Sequence, residues 1–151
     1  MGVDLAKLDT VSGANQGFEL QLLDPGTLAN LGIFIQVLGR DSAEFRKLAA
    51  DQNRRRIAKV TRGGQFRAGA ASLEEMESDG IELLAECTKG WRSVELDKDD
   101  PTIEQSKPFL TIGGEEVQFS RAAAVKLYTN YPWIREQVDG AVIDRANFIK
   151  R

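Results

Sequence analysis

The sequence contains no histidine, and that absence excludes more than any residue present suggests. Without imidazole the chain lacks the usual general base near neutral pH, the Ser-His-Asp and Cys-His arrangements, and the commonest zinc ligand. A single cysteine, Cys87, rules out an internal disulfide and fits a reducing compartment. Cys87 falls on the apolar stripe of a helix pattern, so it reads as a small buried hydrophobe rather than a nucleophile. Long apolar runs are missing too. The most apolar stretch, Leu28 to Leu38, is too short to span a bilayer and is interrupted by Asn30, Gly32 and Gln36. Met1 to Gln16 carries Asp4 and Asp9 and lacks the basic start and apolar centre of a signal peptide. These absences predict a cytoplasmic protein with no membrane partner.

Phosphate-cradling loops are lacking as well. Neither Gly63-Gly64 nor Gly113-Gly114 is followed by the residues of a nucleotide-binding motif, so the first reads as a linker and the second as a turn. The carboxylate neighbours Glu74-Glu75, Asp99-Asp100 and Glu115-Glu116 lie on solvated segments, which leaves an acid/base pair without support. Asp97, Asp99 and Asp100 lack the glycine and terminal glutamate of a calcium loop. The expectation is a non-enzyme with no catalytic residue, cofactor or metal.

What is present describes an ordinary globular chain. Its 151 residues make about one domain, and 42% hydrophobic with 28% charged residues suits a packed core rather than disorder. Residues 1–16, small and polar through VSGANQG, read as a flexible arm ahead of a single domain over 17–151. Phe18 to Leu22 alternates with the period of a half-buried strand. Asp24-Pro25-Gly26-Thr27 is a turn in which Gly26 would take the positive φ, and Ile33 to Leu38 is a second strand that would pair with the first. Asp41 and Glu44 form a capping box opening a helix through Val60, with Phe45, Leu48, Ala49 and Ile57 as its apolar members. Arg62 to Ala71 is a glycine-containing connector, and Ser72 with Glu75 caps a second helix. Its stripe runs Leu73, Met76, Gly80, Leu84, Cys87 and Trp91, with Gly80 a weak point of about 1 kcal/mol relative to alanine. A loop over Asp97 to Lys107 follows. Phe109 to Phe119 is a hairpin about Gly113-Gly114, and Ser120 caps a helix Arg121 to Thr129. Pro132 opens a last, uninterrupted helix with apolar residues at Ile134, Val138, Ala141, Val142 and Ile149. The expected fold class is α+β: a mainly helical body with a short N-terminal antiparallel strand pair and one small hairpin near 109–119.

Charge is sharply segregated. Arg40 to Arg67 holds nine basic and three acidic residues, including Arg54-Arg55-Arg56, whereas Glu74 to Asp100 holds ten acidic and three basic. The two helices could pair with each other or carry solvated faces. The basic block of one copy could meet the acidic block of the next in a homo-oligomer, or the arginine run could bind nucleic acid. The net charge of −3, with only Phe66 nearby to stack on bases, argues against the last, so no nucleic-acid partner is expected.

The carboxyl-terminal stretch FSRAAAVKLYTNYPWIREQVDGAVIDRANFIKR, Phe119 to Arg151, resembles the tail assembly chaperones of long-tailed bacteriophages and prophages. LLDPGTLANLGIFIQVLGRDSAEFRKL over 22–48 and LLAECTKGW over 83–91 extend the resemblance more loosely, in family-like order, to roughly half the chain. The resemblance implies a non-enzymatic scaffold that binds and solubilises the tape measure protein and helps recruit tail tube protein during tail assembly. It also implies action in the host cytoplasm, absence from the mature virion, and in many members a longer frameshifted form. The alternative is a minor structural tail or head-tail completion protein that stays in the virion. Tyr128, Tyr131, Trp133 and Ile134 cluster around the break between the last two helices. They are candidates for partner binding if exposed together, and ordinary core if not. Arg54, Arg55 and Arg56 are the candidate charged contacts.

Overall fold

Alternation of side chains builds the first hairpin of the computed structural model, which describes residues 2–63 and 73–149. In β1 (Phe18–Leu23), Phe18, Leu20 and Leu22 face the core while Glu19 stays in solvent; in β2 (Asn30–Val37), Ile35 and Val37 are buried. The strands pair antiparallel, with Leu20 opposite Ile35. Asp24 shapes the turn by accepting from the backbone N–H groups of Gly26 (2.8 Å) and Thr27 (3.0 Å), which lowers its carboxyl pKa. The positive φ falls on exposed Leu28 (63°), not on Gly26.

The chain is α+β, but the expected distribution of strands is overturned. The N-terminal pair is half of a four-stranded antiparallel sheet, ordered β1-β2-β3-β4, whose other half comes from mid-chain: β3 (Thr88–Leu96) and β4 (Glu104–Lys107). The helical stripe through Trp91 therefore stops at Cys87, and Trp91 lies opposite Ile35 on the core face of the sheet. The physical reason is the second edge of β2, whose backbone groups need partners. The Leu38 N–H donates to the Cys87 carbonyl at 2.7 Å where helix gives way to strand, and Thr88 then pairs with Val37. The β-branched Thr88 and Val94 suit a strand better than a helix. The outer face of the sheet is polar: Arg92 stacks over Phe34 at 4.1 Å and forks onto Glu19 at 2.7 and 3.0 Å.

The expected hairpin forms as β5 (Phe109–Ile112) and β6 (Glu115–Gln118), with Gly113 and Gly114 supplying the positive φ of its turn. It packs on β3: the Trp91 indole N–H donates to the Val117 carbonyl at 3.0 Å, and Phe119 meets the Trp91 ring edge-on.

The helices cover the other face of the core. In α1 (Thr10–Gln16), Gly13 and Ala14 are buried, so the tail of the segment expected as a loose arm is packed. A Cβ on Gly13 would fall 1.6 Å from the Phe148 carbonyl oxygen, a closeness only glycine permits. The next helix, α2 (Ala43–Gly63), is capped by buried Ser42, whose hydroxyl accepts from the Phe45 N–H at 3.3 Å. Asp41, read as that cap, instead takes a bidentate bond from Arg145 (2.7 and 3.0 Å) and ties the start of α2 to the carboxyl end. The connector and the Ser72 cap fall on residues 64–72, outside the described residues, although Arg62 and Gly63 close α2.

Three further helices complete the fold: α3 (Leu73–Cys87), α4 (Arg121–Asn130, capped by Ser120) and α5 (Pro132–Ile143). The last helix is not uninterrupted. It ends at Ile143, and Asp144 caps a 3-10 turn, Arg145–Phe148, that buries Phe148 against α1 and β1. Ala14, Leu22, Ile35, Leu84, Tyr128 and Val138 belong to one buried cluster. On α5, Gln137 reaches the outer edge of β1, accepting from the Leu23 N–H (2.9 Å) and donating to its carbonyl (2.8 Å) as a neighbouring strand would. Among the described residues no helix is long and apolar enough to cross a membrane.

Candidate protein-binding site

The aromatic cluster at the α4–α5 break is divided between core and rim. Tyr128 is fully buried, its hydroxyl 2.6 Å from the Thr88 hydroxyl, and burial raises its pKa. Ile134 is buried as well, while Tyr131 and Trp133 are half-buried and pack against the core. These four side chains do not form a shared exposed patch. Pro132 begins α5 as its fixed φ suggests, so the break is where expected, with Pro132 exposed and Ile134 buried.

The arginine run faces acidic partners within the chain. Arg54 pairs with Asp51 on its own helix, Arg55 reaches Glu82 at 3.4 Å, and Arg56 reaches Asp79 at 2.9 Å. Lys59 adds Glu75 at 3.6 Å. The basic block of α2 thus lies along the acidic block of α3. Each exposed pair contributes at most about 1 kcal/mol. Their combined effect is to set α2 beside α3, with Gln52 buried between them and donating to the Asp79 carbonyl at 2.8 Å. Cys87 is buried, and desolvation pushes its thiol up to about 12, which disfavours the reactive thiolate.

An accessible apolar surface lies elsewhere, at the amino-terminal half of α3. Ile81, Leu84, Ala85 and Cys87 are buried, but Leu73 and Met76 on the same stripe are 84% and 54% exposed. Between α3 and α5 runs an open groove of about 470 Å³. Leu73, Met76, Gly80 and Ile81 give its apolar lining, and Arg135, Glu136 and Asp139 of α5 line it from across. Arg135 bridges to Glu77 of α3 at 2.8 Å, tying the two helices together. Gly80 sits mid-helix, and a Cβ added there would meet nothing within 4 Å. The arrangement suits a side chain or backbone laid along α3; it does not enclose a small molecule.

No family model, curated protein or solved structure matches the chain. The α3–α5 groove was missed in the sequence because its stripe reads as ordinary core spacing. Its one legible signal was Gly80, a lone glycine on the apolar face of a helix.

Proposed function

We propose that this chain is a non-enzymatic assembly factor of the phage tail assembly chaperone kind. In this reading it binds the tape measure protein, keeps it soluble, helps recruit tail tube protein, and remains in the host cytoplasm rather than the mature virion. The observation that carries the reading is the open apolar groove between α3 and α5, flanked by exposed Leu73 and Met76. A chaperone for a long helical client needs such a groove more than it needs a pocket. The wording of 119–151, together with 22–48 and 83–91, directs the choice of client.

One observation favours the alternative, a minor structural tail or head-tail completion protein. Val3, Leu5, Leu8 and Val11 are all exposed in the first elements of the chain, an apolar strip suited to a permanent contact between subunits. Co-expression with the tape measure protein of the same genome, followed by pull-down and light scattering, separates the two. A soluble complex with several copies per client is the expected result. Absence of association, with the chain abundant in purified virions by mass spectrometry, overturns the chaperone reading in favour of the structural one.

A further inference from the structure

We propose that the α3–α5 groove docks an amphipathic helix whose apolar face is flanked by lysine and arginine. The proposal deepens the functional reading above and rests on its premise that the client is helical. Two observations carry it. The first is charge. Across the groove from the apolar stripe stand Glu136 and Asp139, neither in an ion pair among the described residues, whereas the one cation of the lining, Arg135, is held by Glu77. Glu74 adds a further carboxylate on the adjoining face of α3. The rim is therefore net acidic around an apolar floor. It repels phosphate-bearing partners, both nucleic acid and anionic membrane, and attracts basic flanks.

The second observation is Gly80. Glycine weakens the middle of a helix, so it needs a reason to be there. Among the described residues nothing supplies one, because the space over its Cα is open in the groove. A helix laid across α3 supplies it: the missing side chain lets the partner approach closely, and apolar residues at i, i+3/i+4 and i+7 of the partner meet Met76, Gly80 and Ile81.

The test uses the full chain and a fluorescein-labelled Leu/Lys amphipathic peptide of about 18 residues, long enough to lie along α3. A Leu/Glu peptide of identical pattern is the control, with anisotropy as the readout. The Leu/Lys peptide is expected to bind and the Leu/Glu peptide to fail. Gly80→Leu is the decisive variant, since it leaves charge unchanged and replaces a poor helix former with a good one. It should weaken the Leu/Lys peptide by about tenfold or more while keeping or raising the thermal midpoint. Glu136→Lys with Asp139→Lys should reverse the preference toward the Leu/Glu peptide. No binding, equal binding of both peptides, or undiminished binding to Gly80→Leu overturns the proposal. If the tape measure protein co-purifies equally with wild type and Gly80→Leu, the groove is wrong and the chaperone reading survives. If the peptide binds as expected but the tape measure protein does not, the groove stands and the chaperone reading falls.

Discussion

A double-substitution cycle on Thr88 and Tyr128 tests how the junction of α3, β3 and α4 is held. Both side chains are buried. The Thr88 hydroxyl donates to the Leu84 carbonyl at 2.7 Å, and its oxygen lies 2.6 Å from the Tyr128 oxygen. With the threonine proton committed to Leu84, the phenol is the donor between them. Tyr128→Phe then removes one hydrogen bond and leaves Thr88 satisfied, at a cost of about 1 kcal/mol. Thr88→Val keeps shape and strand propensity but removes the acceptor that the buried phenol uses. It strands a donor and deprives Leu84 of a bond, at a cost of about 2–3 kcal/mol. The double variant should cost less than the sum by about 1 kcal/mol, because removing the phenol cancels the stranded donor. Urea unfolding followed by circular dichroism measures all four proteins. Additive effects, or a Thr88→Val no costlier than Tyr128→Phe, would refute the assigned direction of the bond. Alkali gives a second check. Burial holds the folded phenol above its unfolded value of about 10, so the unfolded chain releases this proton first. Its contribution is full below that pH and is lost as pH rises through the folded value; Tyr128→Phe should lack this loss.

Trp91→Ala should cost about 3–5 kcal/mol, since Trp91 is buried where the hairpin meets the sheet, and a loss of unfolding free energy in urea of under about 1 kcal/mol would remove it from that role. The Arg145 guanidinium, helped by Thr10, holds the Asp41 carboxyl down to about 2. A lowered folded pKa stabilises above the unfolded value and loses that contribution as pH falls through the folded one. Wild type should therefore exceed Asp41→Asn by on the order of 1 kcal/mol after solvent screening above pH ~4, with the gap closing toward pH ~2; a gap independent of pH contradicts the pairing. Gln137→Ala should cost about 1 kcal/mol and, by baring the β1 edge at Leu23, raise concentration-dependent association in light scattering. Unchanged stability and unchanged association together would deny Gln137 its role as an edge cover.

Local chemistry made much of the chain legible. The period-two pattern at Phe18–Leu22, the Gly113-Gly114 turn, the Ser120 cap and Pro132 each act within a few residues, and each appears where the sequence puts it. What failed was non-local. Trp91 continues the helix spacing of Leu84 and Cys87, yet Thr88–Leu96 is drawn into a sheet by the open edge of β2, some fifty residues earlier in the chain. Asp41 and Glu44 have the form of a capping box, but the hydroxyl next door takes the cap and a distant arginine takes the aspartate. Tyr128 and Trp133 look alike as aromatics beside a break; only packing separates the buried phenol from the half-buried indole.

The charge blocks show why segregation in sequence is a poor guide to free charge in the fold. Arg55 and Arg56 face Glu82 and Asp79, and Arg121 of α4 pairs with Glu86, so α3 is lined with cations from both α2 and α4. These contacts occupy Arg55 and Arg56 within the chain, although both side chains stay partly exposed. A third side of α3 turns toward α5. There Glu77 already holds Arg135, and Glu136 and Asp139 add negative charge on the far side of the groove. Fixed carboxylates beside an apolar floor discriminate by sign, and they do so most when water is excluded between the surfaces. A helix with apolar and basic faces meets both conditions at once, whereas an acidic one of the same shape would bury like charges against each other. The groove therefore sets the sign of the partner as well as its shape, and Gly80 sets how near it can come.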